Sequence, residues 1–352
     1  MNSRERVLLA VQHKDTDRVP FFYRDVPSVE RRLLKDLRLT DRDELLRYFD
    51  IDFRWVEPEY KGPALTKKNG NTLDIWGVEY KYVNARDGGY WGSVTTPLID
   101  TYDPGELDSY AWPNIEWFDF SSIPTQAEKY DGYAIMTAPG DASPGALAIV
   151  QNLIGIERAM ADMYLHPQFL KKLYEKILDF NLRFTEKMFA AAEGRIDFFR
   201  IGDDFASQNG LIMSPQLWEE FIRPSLVALS AVAKQSGAYY YHHSCGAIGG
   251  LIPQLIELGV DVLDPLQVTA KGMDPSILKE KYGKQICFSG GVDIQRVLNH
   301  GTPKDVESCV NELLDIMAPG GGFFIGPTHT FQDDIPTGNI VAMYEAAKKR
   351  GC

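Results

Sequence analysis

Histidine and cysteine are scarce, with six and four copies in 352 residues. The cysteines, Cys245, Cys287, Cys309 and Cys352, stand singly and without paired spacing. That argues against a disulfide framework and for a reducing, cytoplasmic setting. Long apolar runs are absent, so nothing approaches the length of a transmembrane helix. The opening stretch from Met1 to Gln12 is too charged, and its apolar run too short, for a secretory signal. Positive charge is also in deficit. A formal net charge of -12 sets aside nucleic acid and anionic membranes as partners. Low-complexity tracts and short internal repeats are missing as well.

What is present suits a globular chain with a substantial core, 44% hydrophobic and 24% charged. Asn2 or Ser3 can cap a first helix whose apolar face is Val7, Leu8 and Val11, ending near Lys14-Asp15. Arg18 to Phe22 and Ile51 to Glu57 are the first two strand-like runs. Helices are expected over Ser28 to Leu37, with Ser28 as cap, and over Asp41 to Phe49. From about residue 61 to 126 the character changes. Gly, Asn, Asp, Pro and aromatics become frequent, as in Thr72 to Lys81 and Gly88 to Gly92. Short strands and turns are expected there, as an insertion that packs on the main body or covers a site. Its aromatics read first as a small satellite core and only second as substrate contacts.

After Asp131 a rhythm sets in. Apolar runs at Tyr133–Thr137, Phe198–Gly202, Ala238–Tyr241, Val260–Asp264, Gln285–Ser289 and Gly322–Gly326 alternate with helical stretches. Two early strands and six later ones make eight, the number for a single closed (β/α)8 TIM-type barrel, which leaves no sheet edge. A doubly wound open sheet is the alternative. It usually brings Gly-x-Gly-x-x-Gly after its first strand, and none stands there.

In a barrel the chemistry collects at the C-terminal ends of the strands. Those ends carry Asp203 and Asp204, His243 and Cys245, Asp264, Ser289 and Asp293, and His329; Arg24 follows the first strand. Strand alternation puts His243 and Cys245 on one face and turns His242 away. An imidazole and a thiolate on one face are a ligand pairing that suits zinc. Bland readings stand beside these. A lone His-x-Cys is a weak motif. Asp264 before Pro265 can be a turn former, Asp293 can cap a helix, and His329 can be an ordinary loop residue.

Taken together, Arg18-Val19-Pro20, Asp74-x-Trp76-Gly77-Val78, Ser214-Pro215 with Phe221 and Pro224, His243-Ser-Cys245-Gly246, Ser289 to Asp293 and Gly326 to Asn339 resemble the uroporphyrinogen decarboxylase superfamily. More narrowly they resemble its corrinoid-dependent (cobalamin) methyltransferase branch. The resemblance implies zinc held by His243, Cys245 and a later ligand. In that branch the later ligand is a cysteine, and here His329 stands in its place, seven residues before Pro336. It also implies methyl transfer between a small molecule, as donor or thiol acceptor, and the cobalt of a cobamide. Because Asp-x-His-x-x-Gly is absent, that cobamide is expected on a separate corrinoid protein. Asp203 or Asp204 would then be the fourth ligand or orient the substrate as catalytic residues, while Arg24, Ser289 and Asp293 would bind substrate. Two rivals remain: a metal-free decarboxylase of the same fold, and a non-catalytic small-molecule-binding barrel.

Overall fold

The computed structural model describes residues 1–85, 88–137 and 145–350; Cys352 lies outside the described residues. The strands in chain order are β1 (Phe53–Val56), β2 (Glu59–Tyr60), β3 (Thr72–Leu73), β4 (Glu79–Ala85), β5 (Gly88–Ser93), β6 (Phe118–Asp119), β7 (Ala134–Thr137), β8 (Phe198–Gly202), β9 (Tyr239–His243), β10 (Val262–Leu266), β11 (Cys287–Val292) and β12 (Phe323–Pro327). The first seven helices are α1 (Ser3–Val11), α2 (Pro27–Leu37), α3 (Arg42–Tyr48), α4 (Ile123–Lys129), α5 (Ala146–Ile154), α6 (Ile156–Leu165) and α7 (Pro167–Ala192). Further helices follow each later strand. None of the described helices is long and apolar enough to cross a membrane.

The main sheet is parallel and runs β1-β7-β8-β9-β10-β11-β12. Its two ends meet across the extended segment after Arg18. On one side the Phe22 amide donates to the Ile325 carbonyl and the Ile325 amide to that of Pro20, both at 2.9 Å. On the other side the Asp52 amide donates to the Phe21 carbonyl at 3.2 Å. The fold is therefore a (β/α)8 TIM-type barrel, and the expected first strand is reduced to a bridge at Phe21. The reason is partly local and partly a distant carboxylate. Pro20 has no N–H to give, and the Phe21 amide donates to the Asp52 carboxylate at 2.7 Å instead of to a neighbouring strand.

Inward-facing side chains fill the lower barrel with aromatics. Phe22, Phe53, Phe198, Tyr241 and Phe324 make ring contacts at 5.3 to 6.4 Å. Val7, Ala10 and Val11 of α1 plug this core from below. Asn2 caps α1 through a capping box with Glu5, as its position predicts. Ser28 does not cap α2. That helix starts on Pro27, and the Ser28 hydroxyl donates to Asp333 at 2.9 Å.

Between β1 and β7 the chain forms an antiparallel sheet of β3, β4 and β5 and a small β2–β6 pair. Trp76 is buried against Phe180 of α7 and against Trp112, with ring centroids 5.3 and 6.4 Å apart. Ile75, Trp76 and Val78 thus join the same continuous core as the barrel's outer helices, and the expected satellite core is an extension of the main one.

Candidate metal centre

Strand β9 carries Tyr239, Tyr241 and His243 on its inner face and Tyr240 and His242 on its outer face. His242 stacks on Phe205 with centroids 5.3 Å apart, and its Nδ1 meets the Tyr240 hydroxyl at 3.1 Å. Burial pushes this imidazole down to about 3, so it stays neutral between sheet and helices. His243 instead faces the barrel axis. Two residues on, the Cys245 Sγ lies 3.5 Å from His243 Nε2. The chain then turns at Gly246, where φ is +90° and a Cβ would sit 2.6 Å from the carbonyl oxygens of Ala206 and Ser207. Only glycine fits that turn.

His329 reaches the same spot from the loop after β12, its ring 6.1 Å from that of His243. Ligand atoms of His243, Cys245 and His329 all lie within 4.8 Å of one another. Burial and the Arg24 charge push His329 down to about 4, leaving it a neutral nitrogen donor. Burial first, then Asp204, raises the Cys245 thiol far above its ordinary value. A thiol so placed ionises when a cation sits beside it.

Asp264 of β10 is the register partner of His243. Its Oδ2 lies 2.6 Å from His243 Nδ1, so the ring is held by one nitrogen while the other faces Cys245. Burial alone would raise the Asp264 carboxyl. The hydrogen bond to His243 and the charges of His243, Arg24 and Arg200 outweigh it and hold the group well below the usual carboxylate range. Arg24 Nη1 is 3.8 Å from that oxygen and 3.4 Å from His243 Nδ1, and Arg200 Nη2 is 3.7 Å from the same oxygen. Sequence reasoning placed Asp264 among the polar strand-end residues, beside a turn-former reading and without a role at the metal, and it did not single out Arg200. The available signal was their place on the inner face of β10 and β8, level with the residues around His243.

The two aspartates after β8 part company. Asp203 turns back and accepts from the Leu147 and Ala148 amides at 2.9 Å, capping α5. Burial pushes its carboxyl up to about 7 against the pull of those amides. Asp204 stays open to solvent. Its Oδ1 accepts from the Cys245 amide at 2.8 Å and lies 3.8 Å from His243 Nε2. Ser289 is fully buried one layer below, where its hydroxyl accepts from Tyr241 at 2.7 Å. The Asp293 carboxylate accepts from the Gln295 amide within its own turn at 2.8 Å. The centre therefore gathers His243, Cys245, His329, Arg24 and Asp204; Asp203 caps α5 at the edge of the adjoining cleft, and Ser289 and Asp293 are engaged elsewhere.

A cleft of ≈ 350 Å³ leads to His243. Barrel residues Arg200, Gly202, Asp203 and Asp204 form one wall, Ala148, Ile149, Gln151 and Asn152 of α5 another, and Asp74, Trp76 and Tyr80 of the insertion the third. The Asn152 side chain donates to the Tyr80 hydroxyl at 3.0 Å, tying insertion to barrel. That size admits a small molecule.

A barrel of parallel strands whose mouth brings two imidazoles and a thiol together defines a class: a TIM-type protein with a candidate metal centre. The family profile described as uroporphyrinogen decarboxylase (URO-D) matches residues 143–350, and the chain belongs to that family. Among solved structures, a methyltransferase from Methanosarcina mazei is similar in fold. It is 16% identical, with 99% of either chain covered and a TM-score of 0.70. No curated protein sequence matches this chain. Of the stretches that carry the resemblance, Ser214-Pro215, His243 to Gly246, Ser289 to Asp293 and Gly326 to Asn339 fall inside the matched range. Arg18 to Pro20 and Asp74 to Val78 precede it.

Proposed function

We propose that this chain is a zinc-dependent methyltransferase that moves a methyl group between a small molecule and the cobalt of a separate corrinoid protein. The observation that carries the reading is the convergence of His243, Cys245 and His329 within 4.8 Å at the barrel mouth. Two neutral nitrogens and one sulfur suit zinc, and three protein ligands leave a fourth position for substrate or for Asp204. A zinc ion held there supplies Lewis acidity to the heteroatom that loses or gains the methyl group. The chain's own part is to position that heteroatom. Trp76, Tyr80 and α5 wall the cleft, and Asp204 holds the Cys245 backbone in place. In this reading the chain is one barrel unit, and residues 61–126 are an insertion that walls the cleft. Reduced cobalt would approach from the open mouth on its partner. The M. mazei methyltransferase lends support at the level of fold.

The test is zinc content after purification without chelators, for the wild type, Cys245→Ala and His329→Ala. We expect near-stoichiometric zinc in the first and most of it lost in both variants, because few ligands share the ion. Wild-type protein without metal sinks the reading. Full zinc in His329→Ala removes His329 from the ligand set and passes its place to Asp204. With zinc present, methyl transfer is read from the cobalamin absorbance of an added corrinoid protein.

One observation favours a metal-free decarboxylase as the second reading. Arg24 brings a guanidinium to the centre, and its Nε is buried without a hydrogen-bond partner among the described residues, as a substrate carboxylate would require. Absence of zinc together with loss of carboxylate binding in Arg24→Met would move the assignment there.

A further inference from the structure

The nitrogen of His243 that faces Asp264 has two polar neighbours of opposite character. Asp264 Oδ2, at 2.6 Å, is an acceptor while ionised. Arg24 Nη1, at 3.4 Å, can only donate. An imidazole nitrogen that carries the proton satisfies the first, and one that lacks it satisfies the second. The two cannot be served at once. Distance decides in favour of Asp264, since 2.6 Å is a short charge-assisted contact and 3.4 Å is the outer limit of a hydrogen bond. The proton therefore sits on Nδ1, and Nε2 offers its lone pair towards Cys245 and His329.

We propose that Asp264 is a positioning residue that selects the His243 tautomer able to bind metal, in opposition to Arg24, which by itself would select the other. This deepens the reading of His243 as a ligand and rests on it. Register supports the assignment. Asp264 and His243 are direct neighbours in the β9–β10 pairing, so main-chain hydrogen bonds fix their separation. Burial supports it too. Asp264 is 2% exposed, and the short bond joins buried groups that no bulk water can replace. Carboxylate partners of metal-bound imidazoles generally work in this way.

Removing the carboxylate does more than delete a hydrogen bond. In Asp264→Ala the nearest polar neighbour of Nδ1 is Arg24. Nδ1 becomes the acceptor, the proton moves to Nε2, and the metal loses its lone pair. Taking Arg24 away as well removes that bias. A purely structural aspartate predicts the reverse: a second substitution in the same cluster should add damage.

The test uses four full-length proteins: wild type, Asp264→Ala, Asp264→Glu and Asp264→Ala/Arg24→Met. Zn²⁺ affinity is measured by competition with a chelator, and the Co²⁺-substituted forms are compared by their absorption bands. Asp264→Ala should bind roughly 10- to 100-fold more weakly, the range typical of such partners. Asp264→Glu should recover part of the loss, and so should the double variant. In metal-free protein, ¹⁵N shifts of the labelled His243 ring should show Nδ1 protonated in wild type and Nε2 protonated in Asp264→Ala. That readout needs no metal, so it separates the two ideas. Correct tautomers in a protein that never binds Zn²⁺ would defeat the metal reading and leave the positioning role standing. Unchanged ring shifts in Asp264→Ala, or a double variant weaker than the single one, would overturn the proposal.

Discussion

Two buried clusters in this barrel have the same make-up, two arginines around one aspartate, and opposite geometry. At the floor, Asp52 accepts from Arg6 at 2.6 Å, from Arg18 at 2.7 and 3.1 Å, and from the Phe21 amide at 2.7 Å. Arg6 is also paired with Asp17, and Arg18 with the carbonyl oxygens of Val19 and Asp50. Both oxygens of the floor carboxylate are used twice. At the mouth, Asp264 has its arginines 3.7 and 3.8 Å away and makes a short contact, 2.6 Å, to His243. Saturated bonding makes the floor a clasp that closes the barrel where a ladder strand is missing. The looser cluster leaves a carboxylate and a guanidinium with capacity to act on something else. Composition alone does not separate a structural ion cluster from a functional one; the distances do.

The comparison is broken most directly at Asp52. Asp52→Ala leaves the buried Arg6 and half-buried Arg18 guanidinium groups without their shared partner and takes from the Phe21 amide its acceptor. We expect a loss of about 3–5 kcal/mol in denaturant unfolding, with zinc per folded molecule unchanged. Next comes a matched pair. Arg18→Met should cost about 2–3 kcal/mol, because it opens short bonds to a fully buried carboxylate. Arg24→Met should cost under about 1 kcal/mol, since the polar contacts of its guanidinium with His243 and Asp264 are long, at 3.4 and 3.8 Å. Equal losses in the two variants would show that the mouth cluster is as structural as the floor.

A pH-dependent effect belongs to Asp203, a buried carboxylate whose direct hydrogen bonds come from neutral amides. Its carboxyl is raised to about 7 in the folded chain, above its unfolded value. Its contribution to stability is therefore full below the unfolded value and is lost as pH rises towards 7. The slope is at most about 1.4 kcal/mol per pH unit. Thermal melts between pH 4.5 and 7 should show this decline, and Asp203→Asn should flatten it. A decline of the same steepness in Asp203→Asn would assign it to another group.

Much of the scaffold was legible because its signals are local. Capping by Asn2 and the apolar runs of the six later strands sit within a few residues of what they determine. Alternation alone put His243 with Cys245 and turned His242 away. Helix α5 shows where such signals stop. It begins at Gly145 without a capping side chain of its own, so nothing nearby announces it. Its first amides are satisfied by Asp203, 56 residues further on. The bridge at Phe21 is a similar case, since a distant carboxylate takes the place of a strand neighbour.

The sequence by itself determined the barrel class, the order of strands and helices, and the shared face of His243 and Cys245, because periodicity and capping act over a few residues. Only the tertiary structure decided which charges surround that pair. Parallel register carries Asp264 to His243 across 21 residues, β8 brings Arg200, and the closing segment brings Arg24 across 219. Register and closure are properties of the assembled barrel. They exist only once every strand has found its neighbour.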